Sequence, residues 1–279
     1  MKIRYLGTGA AEGVPAVFCN CPACSKARLR GGKEIHTRAQ VLIDDTFGIE
    51  FPPDAYLHAL AYHLDLSAIK NLIITHSHMD HFYAHDFILR GYKYAANMSS
   101  DVLRIYGNEE VCKVFSECTR RELKDCVKPH LSIRELKPFT EYEIDGFTVT
   151  PLVAQHAAAE QAFVYLIEKE GKGYLHLTDT GRPPESFYAY LAGCGKKVDL
   201  VCFDCTFLRF TKGEIGRHMG IEDNMAVKER LLSMGVCGEN TRYLITHYSH
   251  NSEPLSENLS AIEKEYGVTA LYDGMTVEC

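Results

Sequence analysis

The 279-residue chain is 46% hydrophobic and 24% charged, close to the average for globular domains, and no apolar run approaches the roughly 20 residues that span a bilayer. A formal charge of −7 with no basic run disfavours a broad nucleic-acid footprint, so no stable nucleic-acid partner and no membrane partner are expected. Eleven cysteines, an odd number with several set singly in apolar segments, argue against a disulfide framework and for a reducing, cytoplasmic compartment.

In chain order, the opening Met1 to Gly9 segment reads as a first strand, since glycine arrives too early for the apolar core of a secretory signal. Buried strands are predicted over about 39–44, 71–75, 147–152, 161–167, 173–177, 198–203 and 243–245, each a short apolar run bounded by polar residues. Helices are predicted over about 54–66, 109–125, 184–192, 221–234 and 255–265. With no low-complexity tract or Pro/Ser-rich linker between them, residues 1–279 read as one mixed α/β domain. Three strands run straight into polar groups: Ile74-Thr75-His76, Leu177-Thr178-Asp179 and Ile245-Thr246-His247. Strand ends are where scaffolds place chemistry, because the strand fixes a side chain that the loop leaves accessible.

The densest signal is His76-x-His78-x-Asp80-His81, four ligand-type side chains in six positions directly after a buried strand. A solvated polar loop is the competing reading, but neither an amphipathic strand nor a helix needs three histidines and an aspartate at that spacing. His76 and His78 alternate toward one ion while Asp80 and His81 turn to a second. Imidazole and carboxylate donors suit borderline divalent ions such as zinc or manganese, and a two-ion site suits hydrolysis by an activated hydroxide. A second cluster, Cys19-x-Cys21-x-x-Cys24, places three thiols in six residues, a spacing suited to a closed structural zinc whose fourth donor comes from elsewhere, with His250 as the candidate.

The motif after an apolar strand, followed by a lone histidine, a strand-end aspartate and a final Thr-His, resembles the metallo-β-lactamase superfamily, whose fold is an αββα sandwich. The resemblance implies that His156 completes the first metal with His76 and His78, that Asp179 bridges, and that His247 completes the second with Asp80 and His81. It also implies that Asp44 orients the metal ligands from behind. The segment from Gly7 to Pro15, the Cys19, Cys21, Cys24 loop, and Thr246-His247-Tyr248-Ser249-His250 narrow the likeness to PhnP-like phosphodiesterases. That implies cleavage of small cyclic phosphodiesters, such as a cyclic ribose phosphate or a 2′,3′-cyclic nucleotide. It further implies two active-site ions, zinc or manganese, one structural zinc, and catalytic roles for Asp80 and for His218, which would act on the phosphate or departing oxygen. Arg182 and Arg217 are possible phosphate contacts that the pattern does not require, and segments 47–66 and 112–135 read as insertions. The remaining histidines, His36, His58, His63, His85, His130 and His176, read as structural or surface residues. The same metal loop also serves thioesterases and lactonases, and the Cys-x-Cys-x-x-Cys loop is shared with PqqB-like non-catalytic binding proteins. A homodimer is left open.

Overall fold

The computed structural model describes residues 1–279, the side chain of Glu214 excepted. The chain first lays down β1 (Lys2–Gly7), β2 (Gln40–Ile43), β3 (Phe47–Ile49), β4 (Asn71–Ile73), β5 (Leu103–Gly107) and β6 (Leu131–Glu135), then β7 (Tyr142–Ile144), β8 (Phe147–Val153), β9 (Phe163–Lys169), β10 (Lys172–Leu177), β11 (Val198–Asp204), β12 (Cys237–Thr246), β13 (Thr269–Ala270) and β14 (Met275–Glu278). They form two seven-stranded sheets, ordered β14-β1-β2-β3-β4-β5-β6 and β13-β12-β11-β10-β9-β8-β7.

Side-chain alternation along the strands builds four layers. In β9, Phe163, Tyr165 and Ile167 point into a core shared with Ile3, Tyr5, Val41, Ile43 and Ile73 of the first sheet. Val164 and Leu166, on the other face of the same strand, pack among Phe187 and Leu191, Val227 and Leu231, and Leu259 and Ile262. Those residues belong to α4 (Glu185–Cys194), α5 (Ile221–Ser233) and α6 (Ser256–Tyr266), which cover the second sheet. The first sheet's outer face packs Leu72 and Ile105 against Val111 and Phe115 of α3 (Glu109–Thr119). Being covered on both faces is why these strands read as near-continuous apolar runs. The result is the expected αββα sandwich. Among the described residues, no helix is long and apolar enough to cross a membrane.

The differences from expectation are local. The Pro-containing cysteine loop carries a helix, α1 (Pro22–Arg30), started by a proline at its first turn and by the Cys21 sulfur accepting from the Cys24 amide. A second short helix, α2 (Ala55–Tyr62), ends at His63 in a left-handed conformation, short of residue 66. The supposed insertions 47–66 and 112–135 contain β3, which lies between β2 and β4, and β6, which pairs with β5 in parallel, so both contribute to the first sheet.

A buried polar network seats the N-terminal glycine loop. The Asp273 carboxylate accepts from Thr8 Oγ1 at 2.6 Å, Thr37 N at 2.7 Å and Thr37 Oγ1 at 2.5 Å. The two threonine hydroxyls in turn contact His36 Nδ1 and His58 Nε2, each at 2.7 Å. Burial draws His36 and His58 each down to about 4 and pushes Asp273 up to about 7. The stability conferred by neutral His36 and His58 is present above about 6.5 and is lost as pH falls toward 4. Asp273 works in the opposite sense, its contribution being full near pH 4 and lost as pH rises through 7. Replacing Asp273→Asn removes that offset, so urea unfolding followed from pH 6.5 to 5 should lose stability more steeply than in the wild type, by about one extra proton.

Candidate metal centre

The three parallel strands β10, β11 and β12 end at one edge, with Leu177 opposite Phe203 and Asp204 opposite Thr246. Just past these ends stand Asp179 and His247, both left-handed, at φ 54° and 64°. In the first sheet β4 delivers Thr75 and His76 to the same cleft. Left-handed backbone away from glycine is uncommon and is held only where surrounding structure enforces it.

All seven predicted histidine and aspartate ligands converge. His76, His78, His156 and Asp179 form one group and Asp80, His81, Asp179 and His247 a second, each with ligand atoms within 4.8 Å of one another. Asp179 is common to both. In the first group His78 Nδ1 lies 2.9 Å from His76 Nε2 and 3.2 Å from His156 Nε2. In the second, His81 Nε2 lies 3.2 Å from Asp80 Oδ2 and 3.0 Å from Asp179 Oδ2. Bonds of about 2.0–2.2 Å to a shared ion would set neighbouring donors roughly 3.0–3.5 Å apart. The buried His81 Nε2, His247 Nε2 and Asp179 Oδ1 have polar neighbours within 4 Å but make no well-aligned hydrogen bond, so the donors fit divalent ions. Burial would raise the Asp179 carboxyl, but the surrounding His247, His218 and His81 hold it well below the usual range.

Several carboxylates that aim these groups were not read from the sequence. Glu50, buried at the end of β3, accepts from Thr75 Oγ1 at 2.5 Å and faces His81 Nδ1 at 3.2 Å. This is the orienting role expected of Asp44, which instead lies at the opposite edge, accepting from Lys2 N at 2.8 Å and pairing with Lys169 at 2.6 Å. The correction follows from topology: β2 is antiparallel to β3, whereas β3 and β4 are parallel, so the C-terminal end of β3 reaches the cleft and that of β2 does not. Asp204, fully buried at the end of β11, accepts from Thr206 N and Met219 N and faces His247 Nδ1 at 3.3 Å and His218 Nδ1 at 3.4 Å. Its strand-end position was the signal that could have found it. Glu160 accepts from Ser77 N and Ser77 Oγ, pinning the loop between His76 and His78.

His218 is brought to the cluster, with Nδ1 2.9 Å from Asp179 Oδ1. Arg182 is held by Asp223 at 2.7 Å, and only the carbonyl of Arg217 approaches the centre, 3.3 Å from His156 Nδ1. Cys19, Cys21, Cys24 and His250 converge separately, with Cys21 Sγ 3.5 Å from His250 Nδ1. The Cys24 amide and His250 draw the Cys21 thiol down to about 6, which favours the thiolate a metal needs. A cavity of about 500 Å³ opens over the main cluster, bounded by Glu12, Asp80, His156, Phe207, His218 and His247 among others.

Fold and cluster together define a metallo-β-lactamase-type protein with a candidate His/Asp metal site. The chain belongs to the β-lactamase superfamily domain family, whose sequence model matches residues 40–248. Similar solved structures include a diphosphatase from the PhnP family (TM-score 0.73, 19% identity, covering 100% of this chain and 97% of that one). Zinc-bound PqqB from Methylobacterium extorquens is similar as well (0.69, 18%, 100% and 100%), as is the short form of human tRNase Z (0.69, 15%, 100% and 99%). A curated octanoyltransferase of Porphyromonas gingivalis strain W83 is 25% identical over 171 residues, 56% of this chain, and the match spans only 31% of that relative's length.

Metal analysis by mass spectrometry should find three divalent ions per chain. The Asp80→Ala/His81→Ala variant should keep the one at the cysteine cluster, and a wild-type value below two would refute the arrangement.

Proposed function

We propose that the chain is a metal-dependent phosphodiesterase acting on small cyclic phosphodiesters, a cyclic ribose phosphate or a 2′,3′-cyclic nucleotide. The observation that carries this reading is the single Asp179 carboxylate common to the two ligand groups described above and to a third with Asp204, His218 and His247, with His218 2.9 Å away on the cavity side. Two divalent ions held there would activate a water and neutralise the phosphate oxygens. His76, His78 and His156 would hold one ion, Asp80, His81 and His247 the other, and Asp179 both. The Cys19, Cys21, Cys24 and His250 group would take a structural zinc, since four protein donors leave no open position.

The chain's own groups supply the rest. Burial would lower the His218 imidazole, but the neighbouring Asp179 and Asp204 carboxylates raise it, which favours the protonated form that an acid for the departing oxygen requires. Asp204 and Thr206 keep its ring turned toward the cluster, with Thr206 Oγ1 3.4 Å from Nδ1. A cavity of 500 Å³ suits a ligand of nucleotide size. The relationship to a PhnP-family diphosphatase supports phosphoester chemistry. A second reading, hydrolysis or transfer of an acyl group from a thioester, is favoured by the octanoyltransferase relative alone.

The test sets bis(p-nitrophenyl) phosphate and 2′,3′-cyclic AMP beside an acyl thioester and a lactone. Diester turnover is expected, abolished in Asp80→Ala and His78→Ala. It should fall by about 10²–10⁴ in kcat in His218→Ala with the metal content kept. A fully metal-loaded protein that cleaves only the thioester or lactone would transfer the assignment to the second reading, and one that cleaves nothing would leave a binding protein of the PqqB kind.

A further inference from the structure

The part of the cavity wall formed by the N-terminal loop and the segment after His247 has its own chemistry. Gly9 N bonds Thr37 O at 2.7 Å and Ala10 N bonds Tyr248 O at 2.9 Å, so the loop 10–13 is fixed against the segment that follows His247. The glycines permit this: a Cβ on Gly7 would meet Arg38 O at 2.1 Å and one on Gly9 would meet His36 O at 2.5 Å. Glu12 is carried on this loop and lines the cavity.

Its Oε1 accepts from Ser249 Oγ at 2.6 Å. Ser249 Oγ also accepts from Asn251 N and Asn251 Nδ2, each at 3.2 Å. A hydroxyl has one hydrogen and two lone pairs, so Ser249 is saturated and offers a ligand nothing. The same Oε1 faces His250 Nε2 at 3.9 Å, while the second oxygen of Glu12, on a side chain 32% exposed, remains as an acceptor. Among the described residues that line this cavity there is no lysine or arginine. The wall therefore favours a hydrogen-bond donor and disfavours a second anionic group.

We propose that Glu12 is a specificity-determining residue that accepts a hydroxyl or amino hydrogen from the non-reacting part of the substrate and selects against substrates carrying a further phosphate. The inference rests on the phosphodiesterase reading and adds to it the substrate class: diesters with a free hydroxyl in place of a terminal phosphate. The side-chain contacts of Glu12 are with Ser249 and His250 and not with the His/Asp cluster, so its effect is on discrimination.

Glu12→Gln is the informative change. Ser249 keeps the amide oxygen as its acceptor and the NH2 takes the cavity position, turning an acceptor into a donor without loss of volume. Three substrates are compared by kcat/KM: 2′,3′-cyclic AMP, its 5′-deoxy analogue and its 5′-phosphorylated analogue. The wild type should prefer them in that order. In Glu12→Gln the advantage of the 5′-hydroxyl over the 5′-deoxy compound should shrink about tenfold, and the 5′-phosphorylated compound should rise toward parity. A change of equal proportion on all three, or none, overturns the inference, since a merely structural role through Ser249 moves all three together. Turnover of bis(p-nitrophenyl) phosphate but of none of the three overturns it while the diesterase reading stands. Turnover of no diester at all removes both.

Discussion

One carboxylate governs the arrangement. Asp179 is fully buried and stands within 4 Å of ring nitrogens of His76, His81, His156, His218 and His247. A charge taken out of water is costly unless polar or oppositely charged groups surround it, and here the surrounding groups are imidazoles delivered by both sheets. The same carboxylate joins the two ligand groups and faces the histidine proposed as proton donor. Geometry, charge and chemistry therefore meet at one residue, and its placement depends on both sheets ending at a common edge.

That common edge also explains the ring of supporting carboxylates. Glu50 comes from the end of β3, Asp204 from the end of β11, and Glu160 from the turn before β9. Each engages a hydroxyl or amide on the cluster's own loops, Thr75, Thr206 or Ser77. Histidines are thus fixed by groups that are themselves bonded, which is how a scaffold holds a metal site to a narrow geometry. The cysteine cluster acts at longer range: through His250 it ties α1 to the segment that carries His247 and Ser249, the wall on which Glu12 rests.

Much of this was legible beforehand. His76, His78, Asp80 and His81 stand out because four ligand-type residues in six positions satisfy no packing pattern, and Asp179 and His247 because they follow buried strands. The main strands were visible as apolar runs since both faces are covered. What stayed hidden had weaker local signals. β5 and β6 lie toward the sheet's margin and mix charge with apolar residues, as in Leu103-Arg104-Ile105. α1 was masked by reading its cysteines only as ligands, although Pro22 marks a helix start. Single carboxylates such as Glu50 acquire meaning only from strand direction: Asp44 and Glu50 both follow apolar strands, and only the antiparallel pairing of β2 with β3 sets them at opposite ends.

The left-handed backbone at Asp179 and His247 limits substitution before any question of ligation arises. Aspartate and histidine are among the few residues with side chains that enter this region with some ease, whereas branched or bulky ones resist it. Glutamate at 179 would bring the right charge on the wrong length from a backbone that does not welcome it. Mutational tolerance at these two positions is therefore narrowed twice, by conformation and by the demands of the cluster, while His76 to His81, none of which has a positive φ, answer chiefly to the second.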